Sequence, residues 1–327
     1  MRLKTAITEL FRIEHPIVLA PMGGIAGGAL AGAVGRAGGL GLIGGGYANH
    51  ALGHGGEDWI DQQFRLAGNA KVGIGFITWA LADRRAALER ALTRSPSAVM
   101  LSFGDAAPFV EAIKRAGARL ILQIQSVSDA RRAAALGADV IVAQGTEAGG
   151  HGASRATFTL VPAVVDAVAP LPVLAAGGIA DGRGLAAALM LGAAGVLVGT
   201  RFYAAAETLG HASAKARIAA ASGDDTLRTT VFDQVRGLAW PKPFTGRAIV
   251  NDFTQRWHGR EQELDRALTA EMPRYREAAA AGKVDTSVVF AGECVDLIRD
   301  VAPAAEIVAR IVAEAAERLG TAPLAAE

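Results

Sequence analysis

Eight short runs of apolar, largely β-branched residues recur between residues 16 and 198, and the chain's 40 glycines cluster at their ends. The runs cover 16–20, 39–43, 72–77, 98–102, 119–123, 140–143, 172–175 and 195–198. A strand that is apolar at both alternating sets of positions must bury both faces, as strands of a helix-covered parallel sheet do. Alanine-rich amphipathic stretches fill the gaps, among them 28–37, 84–93, 108–116, 128–136 and 183–191. Gly38, Gly117, Gly137 and Gly192 follow several of them, as suits a left-handed helix stop. Strand and helix alternating in this way predict an α/β fold of the (β/α)8, or TIM-barrel, type. An open doubly wound sheet would use fewer strands and place a GxGxxG turn after the first. GGIAGG at 23–28 does not fit that spacing.

The pattern breaks after residue 205. Segments 208–222 and 261–282 read as helices, with mixed polar sequence between them, so 206–292 is expected to form a smaller helical appendage over the mouth of a 1–205 barrel. The amphipathic stretch 302–319 predicts a last helix, within 293–327, that returns to the barrel wall.

Composition removes several classes of function. Hydrophobic residues are 51% and charged residues 20%, so a core is available and wholesale disorder is excluded. The 33 basic and 32 acidic side chains leave a net charge of +1 without a basic run, so nucleic acid is not an expected partner. Cys294 is the only cysteine and cannot close an internal disulfide. The opening residues are too polar for a signal-peptide core, and no apolar stretch approaches the roughly 20 residues of a membrane span. A cytoplasmic chain without a membrane partner is expected; the oligomeric state is not legible. His50 and His54 are four apart but sit in a glycine-rich loop without the neighbouring glutamate of a zinc helix, so no metal site is expected.

Barrel enzymes carry their chemistry on the loops after the strands. After the sixth run comes AQGTEAGGHG, where glycines flank His151, an imidazole suited to proton abstraction near neutral pH. AAGGIADGRG after the seventh run and GVLVGTRF through the eighth place Gly177, Gly178 and Gly199 where backbone N–H groups can cradle a phosphate, with a helix start near Arg183 adding its dipole. APMGG after the first run offers Pro21 and Met22 as an apolar shelf for a flat ring. Gln123, Gln125 and Gln144 put amides where a barrel interior prefers none, and a heteroaromatic ring would supply partners for them.

Together PIVLAPMGG, AGGLGLIGGG, GIGFITW, QGTEAGGHG, PVLAAGGIADGRG and GVLVGTRF resemble the nitronate monooxygenase family, formerly the 2-nitropropane dioxygenases. The six motifs fall in order over residues 5–205. LSFGD, RTTVFDQVRG and WPKPF extend the likeness into the appendage, closest to the branch that includes the fungal enzymes. The resemblance implies FMN at the barrel mouth. Ala20, Pro21, Met22 and Gly23 would contact the flavin ring, with Gln123 near its polar edge, and Gly149 and Gly150 would pass close by. Gln144 would reach the ribityl chain or the ring, and Thr78 or a neighbour would give the third-strand contact. Gly177, Gly178, Gly199 and Thr200 would hold the phosphate.

His151 falls on the family's active-site histidine. Its implied role is to take the α-proton of a neutral nitroalkane. A nitronate supplied as the anion needs no such step and would be oxidised by O2 to a carbonyl compound and nitrite through an FMN semiquinone. Trp79, Phe103 and Trp240 are candidates for the substrate wall or for ordinary core packing. The rival activity is an NAD(P)H-dependent FMN reductase acting on quinones or enoyl thioesters, as in flavin-type enoyl-ACP reductases with a similar EAGGH-like loop. A non-catalytic ligand-binding barrel would leave His151 and the polar strand ends without a role.

Overall fold

The computed structural model describes residues 3–49 and 55–320. Among the described residues, nine strands occur up to residue 198: β1 (Ile17–Leu19), β2 (Gly41–Gly46), β3 (Val72–Ile77), β4 (Ala98–Ser102), β5 (Arg119–Ile124), β6 (Val140–Gln144), β7 (Gly150–Gly152), β8 (Val173–Ala176) and β9 (Gly195–Val198). All but β7 form one parallel sheet in the order β1-β9-β8-β6-β5-β4-β3-β2. The remaining seam is closed by Leu19 N–H donating to the Leu40 carbonyl (2.9 Å) and Leu40 N–H donating to that of Ile17 (3.0 Å). The fold is a (β/α)8 barrel.

Both faces of each strand are buried, which is why the runs carry no polar alternation. Ile17, Leu19, Ile43, Ile74 and Val99 pack outward among the helices. Val18, Leu42, Met100, Ile121, Val142, Leu174 and Leu197 fill the interior. Fully burying such a side chain contributes roughly 1.5–3 kcal/mol. Ile7 and Phe11 of the helix Ala6–Phe11 join this inner cluster beside Leu40, Ala98 and Val140, at the strands' N-terminal ends. That end is plugged, and the opposite end carries the site.

The segment after residue 205 differs from the all-helical expectation. It holds the helices Ala212–Ala220, Val231–Arg236, Asp252–Trp257 and Glu261–Ala280, but also β10 (Thr226–Thr229) and β11 (Thr245–Ile249). β10 and β11 pair antiparallel, and β11 pairs with β7, so a three-stranded sheet fastens the appendage to the loop after β6. Val231, Phe232, Val235, Phe253, Trp257, Leu264 and Tyr275 give the appendage a core of its own. The helix Ala304–Gly320 returns to the barrel against the helix Gly182–Met190. A Cβ on Gly182 would stand 2.4 Å from the Ala315 nitrogen, so only glycine allows this approach. No helix among the described residues is long and apolar enough to cross a membrane. His50 and His54 lie outside the described residues.

Candidate active site

The C-terminal strand ends and the appendage enclose a cavity of about 510 Å³, within the roughly 300–1,000 Å³ of small-molecule sites. Ala20, Pro21, Met22 and Gly23 line it, with Gln123, Gln144, Gly149, Gly150 and His151 on one side and Gly177, Gly178, Gly199 and Thr200 on another. Thr78 does not reach the wall. It opens the short helix Thr78–Leu81 and is buried with its hydroxyl unpartnered, while Ile77 lines the cavity.

His151 sits on β7 opposite Gly246 of β11, so a strand holds it rather than an open loop. Gln144 Nε2 donates to the His151 carbonyl (3.0 Å), while Gln144 Oε1 accepts from Gln123 Nε2 (3.1 Å) and Gln125 Nε2 (2.8 Å). These amides therefore partner one another and pin β7 to the barrel. A ligand ring is thus not the only source of partners for them, and Gln123 and Gln144 also line the cavity.

The imidazole Nε2 lies 2.8 Å from Asp233 Oδ2, and both side chains are buried. A carboxylate only accepts, so Nε2 carries the proton and Nδ1 carries the lone pair. Nδ1 has no protein partner among the described residues, so it is the ring nitrogen left for a ligand. Burial pushes the imidazole below its ordinary pKa of 6.5, more than Asp233 raises it. The ring is therefore neutral at pH 7, the form a general base needs.

Trp240 stacks on His151 with ring centroids 3.4 Å apart and planes 4° from parallel, and its Nε1 donates to the Tyr47 hydroxyl (2.9 Å). Trp79 and Phe103 meet Trp240 edge-on at 5.6 and 5.0 Å, and Phe290 lies 5.4 Å from His151. All three aromatic residues singled out in the sequence thus join one cluster, with Phe103 and Trp240 on the cavity wall. Tyr47 reaches it from just beyond β2, where the register shifts between Gly44 and Gly46 as a bulge re-aims the chain. Phe103 adopts φ +63°, a left-handed conformation costing roughly 1–2 kcal/mol in a residue with a side chain. Cys294 also lines the cavity, but burial pushes its thiol up to about 12, so it stays protonated.

On the glycine side, Gly177 and Gly178 take φ +105° and +73°. The N–H groups of Gly177, Gly178 and Gly199 meet no acceptor among the described residues. The helix Gly182–Met190 contributes less than expected. Its first N–H groups are already taken, that of Gly182 by Glu314 Oε2 (2.9 Å) and that of Gly184 by Asp181 Oδ1 (3.2 Å). An anion here would rest on the glycine turns rather than on that helix dipole. Thr200 Oγ1 accepts from Gly292 N–H (3.0 Å), and its hydroxyl also bears on the Cys294 thiol.

Sequence reasoning missed Asp233, Arg236 and Tyr47. The first two lie within the RTTVFDQVRG stretch noticed as a motif, where an acid and an arginine three residues apart were the available signal.

The family model for nitronate monooxygenase matches residues 4–70 and 58–314. The chain belongs to the nitronate monooxygenase family. It is 35% identical to the nitronate monooxygenase npaC of Metarhizium robertsii, covering 90% of this chain and 89% of that one. It is also 32% identical to a (3aS,4S,5R,7aS)-5-hydroxy-7a-methyl-1-oxo-octahydro-1H-indene-4-carboxyl-CoA dehydrogenase of Mycobacterium tuberculosis, over 98% of this chain and 99% of the other. Among solved structures, FabK from Thermotoga maritima superposes with a TM-score of 0.83 at 30% identity and covers 98% of both chains. Membership in the nitronate monooxygenase family makes the chain an oxidoreductase.

Proposed function

We propose that this chain oxidises alkyl nitronates with O2 to carbonyl compounds and nitrite, and accepts neutral nitroalkanes through His151, with FMN held at the barrel mouth. The residues present suit the cofactor. Unpartnered N–H groups at Gly177, Gly178 and Gly199, with the Thr200 hydroxyl, match a phosphate. Ala20, Pro21, Met22 and Gly23 would lie against the flat ring, and Gln123 and Gln144 would stand at the polar side. When bound, FMN supplies the redox chemistry, accepting electrons from the nitronate that O2 finally takes.

The observation that carries this reading is the buried His151–Asp233 pair, whose histidine lies on the cavity wall. With a neutral nitroalkane, the Nδ1 lone pair takes the α-proton. Asp233 holds the ring in the tautomer that leaves Nδ1 available and then stabilises the imidazolium. The aromatic cluster excludes water around the pair, which strengthens each charge interaction there. Nitrite release and O2 uptake with ethylnitronate and with nitroethane test the reading. Turnover of both, with nitroethane alone abolished in His151→Asn, is expected.

A second reading, an NAD(P)H-dependent FMN reductase acting on quinones or enoyl thioesters, draws on the shape of the cavity. Ile25, Leu209, Ala214, Val284 and Val289 also line the cavity, with His211 and Gly282, an apolar lining suited to a longer substrate. NADH consumption without nitronate turnover would select it.

A further inference from the structure

Arg236 closes the helix Val231–Arg236, and it is the one lysine or arginine among the described residues lining the cavity. No aspartate or glutamate among them lines it. The guanidinium carbon lies 5.9 Å from the Tyr47 ring centroid and 5.8 Å from that of Phe290. The two rings hold the cation by cation–π contact, and the guanidinium also bears on the Tyr47 hydroxyl. Its Nη1 is buried and has no hydrogen-bond partner. The neighbouring carboxylate oxygen, Asp233 Oδ1, is 4.0 Å away, too far for a hydrogen bond, and is itself unpartnered. A purely structural ion pair would close that gap, because two buried groups with unmet hydrogen bonds are each costly.

The position of Arg236 decides what it serves. Phe290 leans on His151, and Tyr47 is bonded to the Trp240 that stacks on His151. Arg236 therefore stands with the proposed base, whereas the glycine turns suited to a phosphate follow β8 and β9. We propose that Arg236 is the substrate anion site, its planar fork receiving the two oxygens of a nitronate as it would those of a carboxylate. The identity of the anion rests on the function proposed above; the presence of an anion site beside His151 does not. A preformed nitronate is then held by charge. A neutral nitroalkane gains the full interaction only as His151 removes its proton and the charge arrives on the nitro oxygens.

The test uses the FMN-loaded protein and two readouts. Calorimetric titration with sodium nitrite, a small planar anion, should show binding that Arg236→Gln weakens at least about tenfold and that Arg236→Lys, which keeps the charge but loses the fork, weakens less. In steady state, Arg236→Gln should raise KM for ethylnitronate about 10- to 100-fold with a smaller change in kcat. Unchanged nitrite binding in Arg236→Gln overturns the proposal, as does an unchanged KM. Nitrite binding that depends on Arg236 in a protein that does not oxidise nitronate leaves the anion site standing and removes the monooxygenase reading instead. Should Arg236→Gln not fold, the unaltered protein decides: nitrite must compete with ethylnitronate while neutral acetamide does not, and failure of that competition overturns the proposal.

Discussion

His151 and Asp233 are 82 residues apart in the chain, and their side chains meet at 2.8 Å where the barrel joins the appendage. The histidine comes from β7, an excursion after β6, and the aspartate from the first turn of the helix Val231–Arg236. Neither part alone builds the base. The β7–β11 pairing fixes one half and the appendage core around Phe232 fixes the other.

Replacing Asp233 by Asn keeps the shape and removes the charge that holds the tautomer and stabilises the imidazolium. Turnover of nitroethane should fall by about 10²–10⁴-fold, while turnover of ethylnitronate, which needs no deprotonation, should fall far less. Parallel steady-state assays on the two substrates check this. Equal losses on both would mean that Asp233 serves only the fold.

The pH profile follows from the lowered His151 pKa. Nitroethane turnover requires neutral His151, so its acid limb should lie below pH 6.5, and the unaltered protein should show no such limb with ethylnitronate, which needs no deprotonation. The same shift links to stability. Between the folded pKa and 6.5 the unfolded chain binds the proton and the native chain does not. This contribution is therefore fully present above 6.5 and is lost as pH falls through the folded value. Denaturant midpoints measured from pH 7 down to pH 5 should fall less in His151→Asn than in the unaltered chain.

Trp240 keeps water from one face of the imidazole. In Trp240→Ala the desolvation weakens, so the acid limb for nitroethane should move up towards 6.5. The pH dependence of kcat/KM reads the shift directly, and an unmoved limb would assign the lowered pKa to other burial.

The barrel was legible because its strands advertise themselves. Runs such as 140–143 and 195–198 are apolar throughout, and that arises only when both faces are covered. β7 was not legible, since Gly150, His151 and Gly152 have no strand preference and pair only because β11 lies alongside. β10 and β11, reading TLRT and TGRAI, are short and part polar, so the appendage looked helical. His151 could be singled out from its glycine neighbours. Asp233 and Arg236 could not, because an acid and a base on a short helix are ordinary until the fold carries them to the cavity. The glycine turns were visible, but not that Asp181 and Glu314 occupy the helix start behind them.

Gly178 tests the phosphate cradle. Its φ of +73° disfavours any residue with a Cβ, and Gly178→Ala should cost about 1 kcal/mol of strain or reshape the turn. The purified variant should retain less FMN, with a dissociation constant raised about tenfold if one N–H contact is lost. Flavin absorbance per protein after gel filtration measures it, and full retention would place the phosphate elsewhere.

On the proposed reading, electrons enter this protein from a nitronate. Anaerobic mixing of the FMN-loaded protein with ethylnitronate, and separately with NADH, tests it most directly through the flavin absorbance. Reduction by ethylnitronate and none by NADH is the predicted result. Bleaching by NADH with an unchanged spectrum in nitronate would contradict it and assign the chain to the reductases.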